Sequence, residues 1–147
     1  MSYANIVAGL HTRFLTVPGL ASTLILEQAP TSLADVPALW SVLESFERGQ
    51  AGQLTTMTYI TQHHLCLRWQ NNAKAETQLN SFVNAFGIAV DADPQLTGTG
   101  GINTDLGGIA RVISGVADWI TIGGTEYRRL LVRTRTIEKG QYGGTLV

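Results

Sequence analysis

Several features that usually indicate a function are scarce in this sequence. Cys66 is the single cysteine among 147 residues, so the chain can form no internal disulfide, and a reducing compartment is favoured. No apolar run approaches the roughly 20 residues of a transmembrane helix, and the N-terminal segment lacks the basic and apolar regions of a signal peptide. The formal net charge of −1 argues against strong binding to free nucleic acid, which requires many contacts between basic side chains and phosphates. These shortages disfavour disulfide-rich, membrane-spanning and strongly basic proteins.

Residues that carry chemistry are also sparse or unsuitably spaced. His63 and His64 are adjacent on a predicted strand, so their imidazoles should point to opposite faces and not share a metal ion. The glycines of residues 97–101 neither follow a strand nor open a helix, which argues against a phosphate or dinucleotide site. No motif places a base beside Cys66, and we expect it to be a small buried apolar side chain. The sequence thus predicts no catalytic residues, no metal, no cofactor and no enzyme activity.

The clearest local pattern is an amphipathic helix from Ala73 to about Asp91. Apolar residues recur there at intervals of three and four, which places them on one face. Pro94 ends the helix, because proline cannot continue the hydrogen-bond ladder and disfavours helical geometry in the residue before it. The apolar face comprises Ala75, Leu79, Phe82, Val83, Phe86 and Val90. We expect this helix to anchor the core through four of them, which are Leu79, Phe82, Val83 and Phe86.

A shorter helix and five strands complete the pattern. The helix is predicted from Tyr3 to about Leu15, and Pro18–Gly19 breaks it. Leu54–Gln70 is expected to be the longest strand, whereas Arg48–Gln53 before it is glycine-rich and turn-like. Gly123–Gly124 fits a two-residue hairpin turn. The predicted strands are Ser22–Glu27, Ala38–Phe46, Leu54–Gln70, Val112–Ile122 and Tyr127–Ile137, the predicted loops are Thr31–Val36 and Ile102–Ala110, and residues from about 140 to 147 are predicted to be a flexible glycine-rich tail.

This order of helix, three strands, helix and two strands predicts an α+β fold. A mainly antiparallel sheet of about five strands, with two helices packed on one face, connects the elements by short links. On the second strand, Phe46 is expected to share a side with Trp40 and Val42. The length fits a single domain over residues 1–147. The sheet face without helices is left for water or for a partner.

The last strand concentrates positive charge. Arg129, Arg133 and Arg135 alternate on one face with Leu131 between them, whereas the opposite face is apolar or carries threonine. Guanidinium groups need water, carboxylates or phosphate rather than an apolar helix. The three arginines are therefore predicted to form a subunit interface, to face nucleic acid, or to lie on a solvated sheet surface. Pairing with acidic residues of a neighbouring subunit is favoured over contact with DNA, because the net charge is close to zero. The candidate acidic residues are Glu44, Glu47 and Glu126.

The order of these motifs resembles that of the tail terminator proteins of long-tailed, lambda-like bacteriophages. The resemblance covers nearly the whole chain, except for the glycine-rich C-terminal tail. It runs from a short helix with a proline–glycine ending to a final strand rich in arginine. The matching segments are Thr16–Leu20 (TVPGL), Leu26–Pro30 (LEQAP), Val36–Trp40 (VPALW), Ala73–Phe86 (AKAETQLNSFVNAF), Asp91–Gly100 (DADPQLTGTG) and Gly123–Thr136 (GGTEYRRLLVRTRT).

The resemblance implies a structural virion protein without an active site. It implies a hexameric ring at the head-proximal end of the tail, assembled in the host cytoplasm, that caps the tail tube, stops its polymerisation and joins the head–tail connector protein. Its expected partners are further copies of the chain, the tail tube protein and the connector protein, with passive contact to genomic DNA in the lumen also allowed and no membrane partner. The alternatives are another phage neck, tail-completion or tail-tube subunit, or a small α+β ligand-binding module or enzyme.

Overall fold

The computed structural model describes residues 3–33, 36–51, 54–67, 72–96 and 109–141 of the chain. Its elements are helix α1 (Tyr3–Phe14), strands β1 (Leu24–Leu26), β2 (Ala38–Ala51) and β3 (Leu54–Leu67), helices α2 (Asn72–Phe82) and α3 (Ala85–Asp91), and strands β4 (Ile109–Ile122) and β5 (Thr125–Gln141). The strands form one five-stranded sheet in the order β1-β2-β3-β5-β4. β1 is parallel to β2, and every other neighbouring pair is antiparallel. The predicted α+β fold with a mainly antiparallel sheet is confirmed.

The helices cover one surface of the sheet, which we term the helix face. The central strands contribute buried residues such as Leu65 and Val132 to this surface. Phe14 of α1 and Phe86 of α3 meet above it, with ring centroids 4.9 Å apart in an edge-to-face arrangement. Such aromatic pairs add about 0.5–1.5 kcal/mol to the gain from burying their area. The helical side chains in the core are Ile6, Leu10, Phe14, Leu79, Phe82, Phe86, Ala89 and Val90.

The predicted central helix is two helices rather than one. α2 ends at Phe82, the turn at Val83 and Asn84 interrupts the ladder, and α3 begins at Ala85. Phe82 and Phe86 remain buried on either side of the turn, whereas the side chain of Val83 is 61% exposed. The expectation that Val83 anchors the core is therefore wrong. The interruption ends the helical periodicity at Phe82, so the spacing that placed Val83 on the apolar face no longer applies.

Two strands extend further than their sequence patterns indicated. β2 continues to Ala51, so the prediction of a turn over Arg48–Gln53 is wrong for the described part of that segment. Its backbone pairs with β3 throughout this stretch, and Gly49 lies opposite Thr56. Within the described residues, β5 with 17 residues is longer than β3 with 14, and the predicted end of the third strand at residues 68–70 lies outside them. β5 also continues through Gln141, two residues into the segment predicted as a tail.

A β-bulge in β2 changes which way its later side chains point. The register with β3 shifts between Leu43 and Ser45, which inserts Glu44 as an extra residue. Beyond the bulge, Phe46 pairs with Tyr59 and lies on the helix face. The expectation that Phe46 shares a side with Trp40 and Val42 is wrong for this reason, because one inserted residue inverts the alternation of side chains.

The hairpin between β4 and β5 turns at Gly123–Gly124, as predicted. Both residues have positive φ values, +59° and +80°, which glycine adopts without the steric penalty of a Cβ atom. The turn is also closely packed, since a Cβ on Gly123 would lie 3.2 Å from the carbonyl oxygen of Thr31. β4 begins at Ile109, so the prediction of a loop over Ile102–Ala110 is wrong for Ile109 and Ala110.

Several predicted features lie outside the described residues. They are the glycines of residues 97–101, the end of the third predicted strand at residues 68–70, most of the predicted loop before β4, and residues 142–147 of the predicted tail. In the ranges that are described, no helix is long and apolar enough to cross a membrane.

Candidate functional site

The predicted arginine row, which consists of Arg129, Arg133 and Arg135, lies on the sheet surface opposite the helices. Arg129, Leu131, Arg133 and Arg135 of β5 pair there with Cys66, His64, Gln62 and Ile60 of β3, whereas the alternate residues of β5 are buried on the helix face. We term this surface the open face. Among the described residues, no helix packs on it. The predicted division of β5 into an arginine side and an apolar or threonine side is confirmed.

Arg129 has a carboxylate partner on the next strand. Its Nε and Nη2 donate to the two carboxylate oxygens of Asp118, at 2.7 and 2.5 Å, and the two residues are directly opposite in the β4–β5 register. Hydrogen bonds from Arg129 hold the pKa of the Asp118 carboxyl below its usual value. Nη1 of Arg129 also lies 3.2 Å from Nδ1 of His64. The first predicted interface arginine is thus paired within its own chain.

Arg133 also binds a carboxylate, but one from β2, on the opposite side of β5 from β4. Its Nε and Nη2 donate to Glu44 at 3.0 and 2.6 Å, and Gln62 donates to the same carboxylate at 2.8 Å. Glu44 is the inserted residue of the β2 bulge, so the bulge directs this carboxylate toward β5 across the open face. Hydrogen bonds from Arg133 and Gln62 lower the pKa of Glu44. Glu44 was expected to pair across a subunit boundary, and in this structure it pairs within the chain.

Arg135 differs from the other two arginines. It is exposed and lies directly opposite Arg111 of β4, which is exposed as well. Like charges at directly opposed positions destabilise a sheet. No carboxylate within the described ranges forms an ion pair with either guanidinium. Among the described side chains of the open face, the positive charge without a carboxylate partner therefore lies at Arg111 and Arg135.

Sequence reasoning missed Arg111 as part of this surface. The register of β4 against β5 identifies it, since Arg111 lies across from Arg135 and Asp118 lies across from Arg129. The signal in the sequence was a hairpin with a two-residue turn, which specifies cross-strand partners near the turn. The bulge between Val112 and Ser114 shifts that register by one residue before it reaches Arg111, so counting from the turn fails there.

A fourth arginine, Arg128, lies on the helix face. Its Nε donates to Oε1 of Glu76 at 2.6 Å, and its guanidinium lies 4.8 Å from the centre of the Trp119 ring. Nη1 also donates to the backbone oxygen of Asp118 at 2.9 Å. Arg128 therefore ties α2 to the end of the β4–β5 hairpin and is accounted for by packing.

A chain of polar side chains crosses the core beneath α1. His11 Nε2 lies 2.7 Å from Ser41 Oγ, which lies 2.7 Å from Nδ1 of His63, and Nε2 of His63 lies 2.8 Å from Thr134 Oγ1. Burial lowers the pKa of His63 well below its ordinary value, so the ring is neutral at pH 7. Both of its nitrogens are satisfied inside the protein, and it stacks edge-on against Phe14. This arrangement stabilises the neutral form of a core histidine and leaves no room for a substrate at the imidazole.

His64 and Cys66 belong to the opposite side of the sheet, as the alternation predicted. His64 stacks on Trp40 with ring centroids 5.2 Å apart, and Cys66 is buried with Trp40 and Ile122. Burial raises the pKa of the Cys66 thiol to about 12, so it carries no thiolate at neutral pH. The expected role of Cys66 as a small buried side chain is confirmed.

An apolar depression lies on the helix face beside β4. This groove has a volume of about 410 Å³ and runs between the turn that joins α2 to α3 and the outer strand of the sheet. Its wall contains no charged side chain, which makes it unsuited to acid–base chemistry. The lining residues are Leu79, Val83, Asn84, Phe86, Gly87, Val112, Ile113, Ser114, Gly115, Ala117, Leu130 and Val132.

The sheet has two long edges that pair with no other described strand. β1 covers only Ala38–Trp40 of β2, so residues 41–51 form one free edge, and the outer side of β4 forms the other. Both edges carry exposed apolar side chains, which are Val42, Leu43 and Phe46 on β2 and Ile113, Val116 and Trp119 on β4. Long free edges with exposed apolar residues are typical of surfaces that pair with another chain.

The described residues contain no group of three or more histidine, cysteine, aspartate or glutamate side chains placed to hold a metal ion. Comparisons with known proteins add no family: no protein-family model matches the chain, and no curated protein matches it significantly. The functional interpretation therefore depends on the geometry of the open face, the groove and the two free edges, and on the order of the sequence motifs.

Proposed function

We propose that this protein is a structural subunit that caps the tail tube of a long-tailed bacteriophage as a hexameric ring. The observation that carries the proposal is the pair of free edges, which lie on opposite sides of one sheet and differ in sequence. A subunit with two different contact surfaces assembles head to tail, and such contacts close into a ring when the rotation between neighbours permits it. The order of the sequence motifs, which resembles that of tail terminator proteins, supports the identification of the ring.

In this proposal the subunit works by shape rather than by chemistry. One side of the ring binds the last ring of tail tube protein and so stops polymerisation, and the other side provides the joint to the head–tail connector protein. The ring is located at the head-proximal end of the tail and assembles in the host cytoplasm. The polar chain from His11 to Thr134 supports a structural role, because its hydrogen bonds are made within the subunit.

The arginine row has a narrower role than the sequence suggested. Two of its three guanidiniums are neutralised within the chain, by Asp118 and by Glu44. Arg135, together with Arg111, remains available to a carboxylate of a neighbouring subunit or to phosphate in the lumen. We favour the carboxylate, because two guanidiniums per subunit provide few of the phosphate contacts that strong binding to DNA requires.

The experiment that tests the proposal measures assembly. The purified protein, alone and mixed with tail tubes, is sized by multi-angle light scattering and imaged by negative stain. We expect closed six-membered rings, either free or bound at one end of each tube, and tubes that no longer lengthen when the protein is present. A strictly monomeric protein that neither binds tubes nor changes their length would contradict the proposal.

A second candidate is a tail tube subunit, which the free edges support equally well. The two functions differ in what happens along the tube axis, because a tube protein stacks ring on ring without limit and a cap does not. The same images separate them, since long tubes formed by this chain alone would identify it as a tube protein.

The apolar groove provides the observation that favours a third candidate, a small ligand-binding module. Its volume lies within the range of small-molecule sites, but the wall offers few polar groups to orient a ligand. A thermal shift with a panel of apolar small molecules, absent with polar ones, would support this function over assembly.

A further inference from the structure

We infer that the free edge of β4 in one subunit binds the free edge of β2, residues 41–51, in the next copy of the chain. The inference rests on the proposed ring and specifies which surfaces of neighbouring subunits meet. Three independent features of the two edges support it: their direction, their charge and their apolar side chains.

The direction of the strands is compatible with such pairing. β2, β3, β5 and β4 alternate in direction, so β2 and β4 run oppositely at the two sides of the sheet. A rotation about a ring axis approximately preserves these directions between neighbours when the axis is roughly parallel to the strands. The β4 edge then meets the β2 edge of the next copy in the antiparallel sense, which forms regular hydrogen-bond ladders. Pairing also satisfies edge N–H and C=O groups that no described strand satisfies.

The charges on the open face are complementary. Arg111 at the β4 edge lies in the same row of the sheet as Ser45 of β2, through the pairs Arg111–Arg135, Arg135–Ile60 and Ile60–Ser45. Glu47 follows two residues after Ser45, pairs with Thr58, and is exposed on the same open face. No basic side chain of the described residues forms an ion pair with Glu47. When the row continues into the next copy, the free guanidinium of Arg111 meets the free carboxylate of Glu47 on a diagonal, a distance that long side chains span.

The apolar side chains on the helix face are complementary as well. The β2 edge carries Leu43 and Phe46 there, 40% and 63% exposed, which pair with Thr61 and Tyr59 of the same face. The β4 edge carries the apolar groove on the same side of the sheet. Leu43 lies in the same row as Val112, which lines that groove. Continuation of the sheet therefore brings the exposed apolar residues of one copy to the uncharged groove of the next. Burial of this area favours association.

A charge-swap experiment on the full-length chain tests the ionic contact. Arg111→Glu and Glu47→Arg, each alone, should raise by up to about fivefold the concentration at which half of the protein is assembled, since one exposed ion pair contributes up to roughly 1 kcal/mol. The double variant Arg111→Glu/Glu47→Arg should restore assembly toward the wild-type value. Asp91→Arg is the matched control for Glu47→Arg, because it makes the same charge change at an exposed position at the end of α3.

A second experiment tests the apolar contact. Phe46→Asp should abolish assembly, because it places a carboxylate against the uncharged groove, while circular dichroism shows that the subunit remains folded. Ile88→Asp is the control, since Ile88 is 69% exposed on α3 and does not line the groove. It should leave assembly unchanged.

The remaining outcomes overturn the inference, remove one of its contacts, or separate it from the proposed function. Rings that persist in Phe46→Asp and in both single charge reversals would show that subunits meet through other surfaces, and would leave the proposed cap intact. If the single charge reversals weaken assembly and the double variant does not restore it, Arg111 and Glu47 do not contact each other across the interface. A chain that remains monomeric at every soluble concentration would overturn the edge pairing. Conversely, assembly through these edges without any effect on tail tubes would retain the inference and remove the proposed function.

Discussion

The two faces of the sheet differ in how their polar side chains are surrounded: by protein on the helix face and partly by water on the open face. On the helix face, His63 and Thr134 are fully buried and hydrogen-bonded to each other, so the protein itself replaces water. On the open face, Arg129 and Arg133 bind carboxylates but keep part of their side chains in water. The comparison shows that the buried imidazole of His63 has its partners inside the fold, whereas the exposed guanidiniums of Arg111 and Arg135 leave positive charge for a partner outside it.

The largest expected effect comes from opening the helix side of the core. Phe82→Ala should lower the free energy of unfolding by about 3–5 kcal/mol, the usual range for truncating a buried aromatic residue. The adjacent variant Val83→Ala should change it by less than about 0.5 kcal/mol, because Val83 is 61% exposed. Urea unfolding followed by circular dichroism measures both. Equal losses of stability for the two variants would contradict the buried position of Phe82 and the exposed position of Val83.

The next effect concerns the buried histidine of the helix face. The pKa of His63 in the folded chain lies well below 6.5, whereas the unfolded chain has the ordinary value of 6.5. The unfolded state therefore binds a proton at a higher pH than the folded state does. The contribution of neutral His63 to the free energy of unfolding is fully present above about pH 6.5 and is lost as the pH falls below that value. One such group contributes a slope of at most about 1.4 kcal/mol per pH unit.

Unfolding measured at several pH values between 7.5 and 5 checks this slope. His63→Gln should reduce the slope, whatever its effect on stability at neutral pH. His64→Gln is the control on the open face and should reduce it less, because His64 is only partly buried. A slope unaffected by His63→Gln would assign the acid sensitivity to other groups.

A smaller effect is expected for the ion pair between Arg129 and Asp118 on the open face. A double-mutant cycle with Arg129→Gln and Asp118→Asn should give a coupling energy of about 0.2–1 kcal/mol, because both side chains remain partly exposed. The pKa of Asp118 is lowered from 3.8, so this contribution is present above about pH 4 and lost as the pH falls through the lowered value. A coupling that is insensitive to added salt would indicate a more buried pair than the structure shows.

The smallest effect on the subunit is expected at Arg111 and Arg135. Either Arg111→Gln or Arg135→Gln should change the free energy of unfolding by no more than about 0.5 kcal/mol, and a small gain is expected because the substitution removes a repulsion between directly opposed like charges. Assembly should respond to Arg111→Gln far more than stability does. A clear loss of subunit stability would mean that these guanidiniums are already paired within the chain.

Local patterns were sufficient to predict the class of fold. Alternation along Leu54–Leu67 and along β5, the paired glycines at 123 and 124, and the apolar spacing that includes Phe82 and Phe86 each depend on near neighbours in the chain. The same alternation predicted that Arg129, Arg133 and Arg135 share the face without helices. These features are local because side-chain direction in a strand or helix follows from the backbone period alone.

Long-range contacts determined the remaining features. The turn at Val83 exposes a residue that its spacing assigned to the core, and the bulge at Glu44 moves Phe46 to the helix face and directs a carboxylate to Arg133. The opposition of Arg111 and Arg135 depends on a second bulge. A bulge or a helix break changes the local period by one residue, and its position is set by packing between distant elements rather than by the residues beside it. The candidate interface could therefore be located only after the register of the sheet was known.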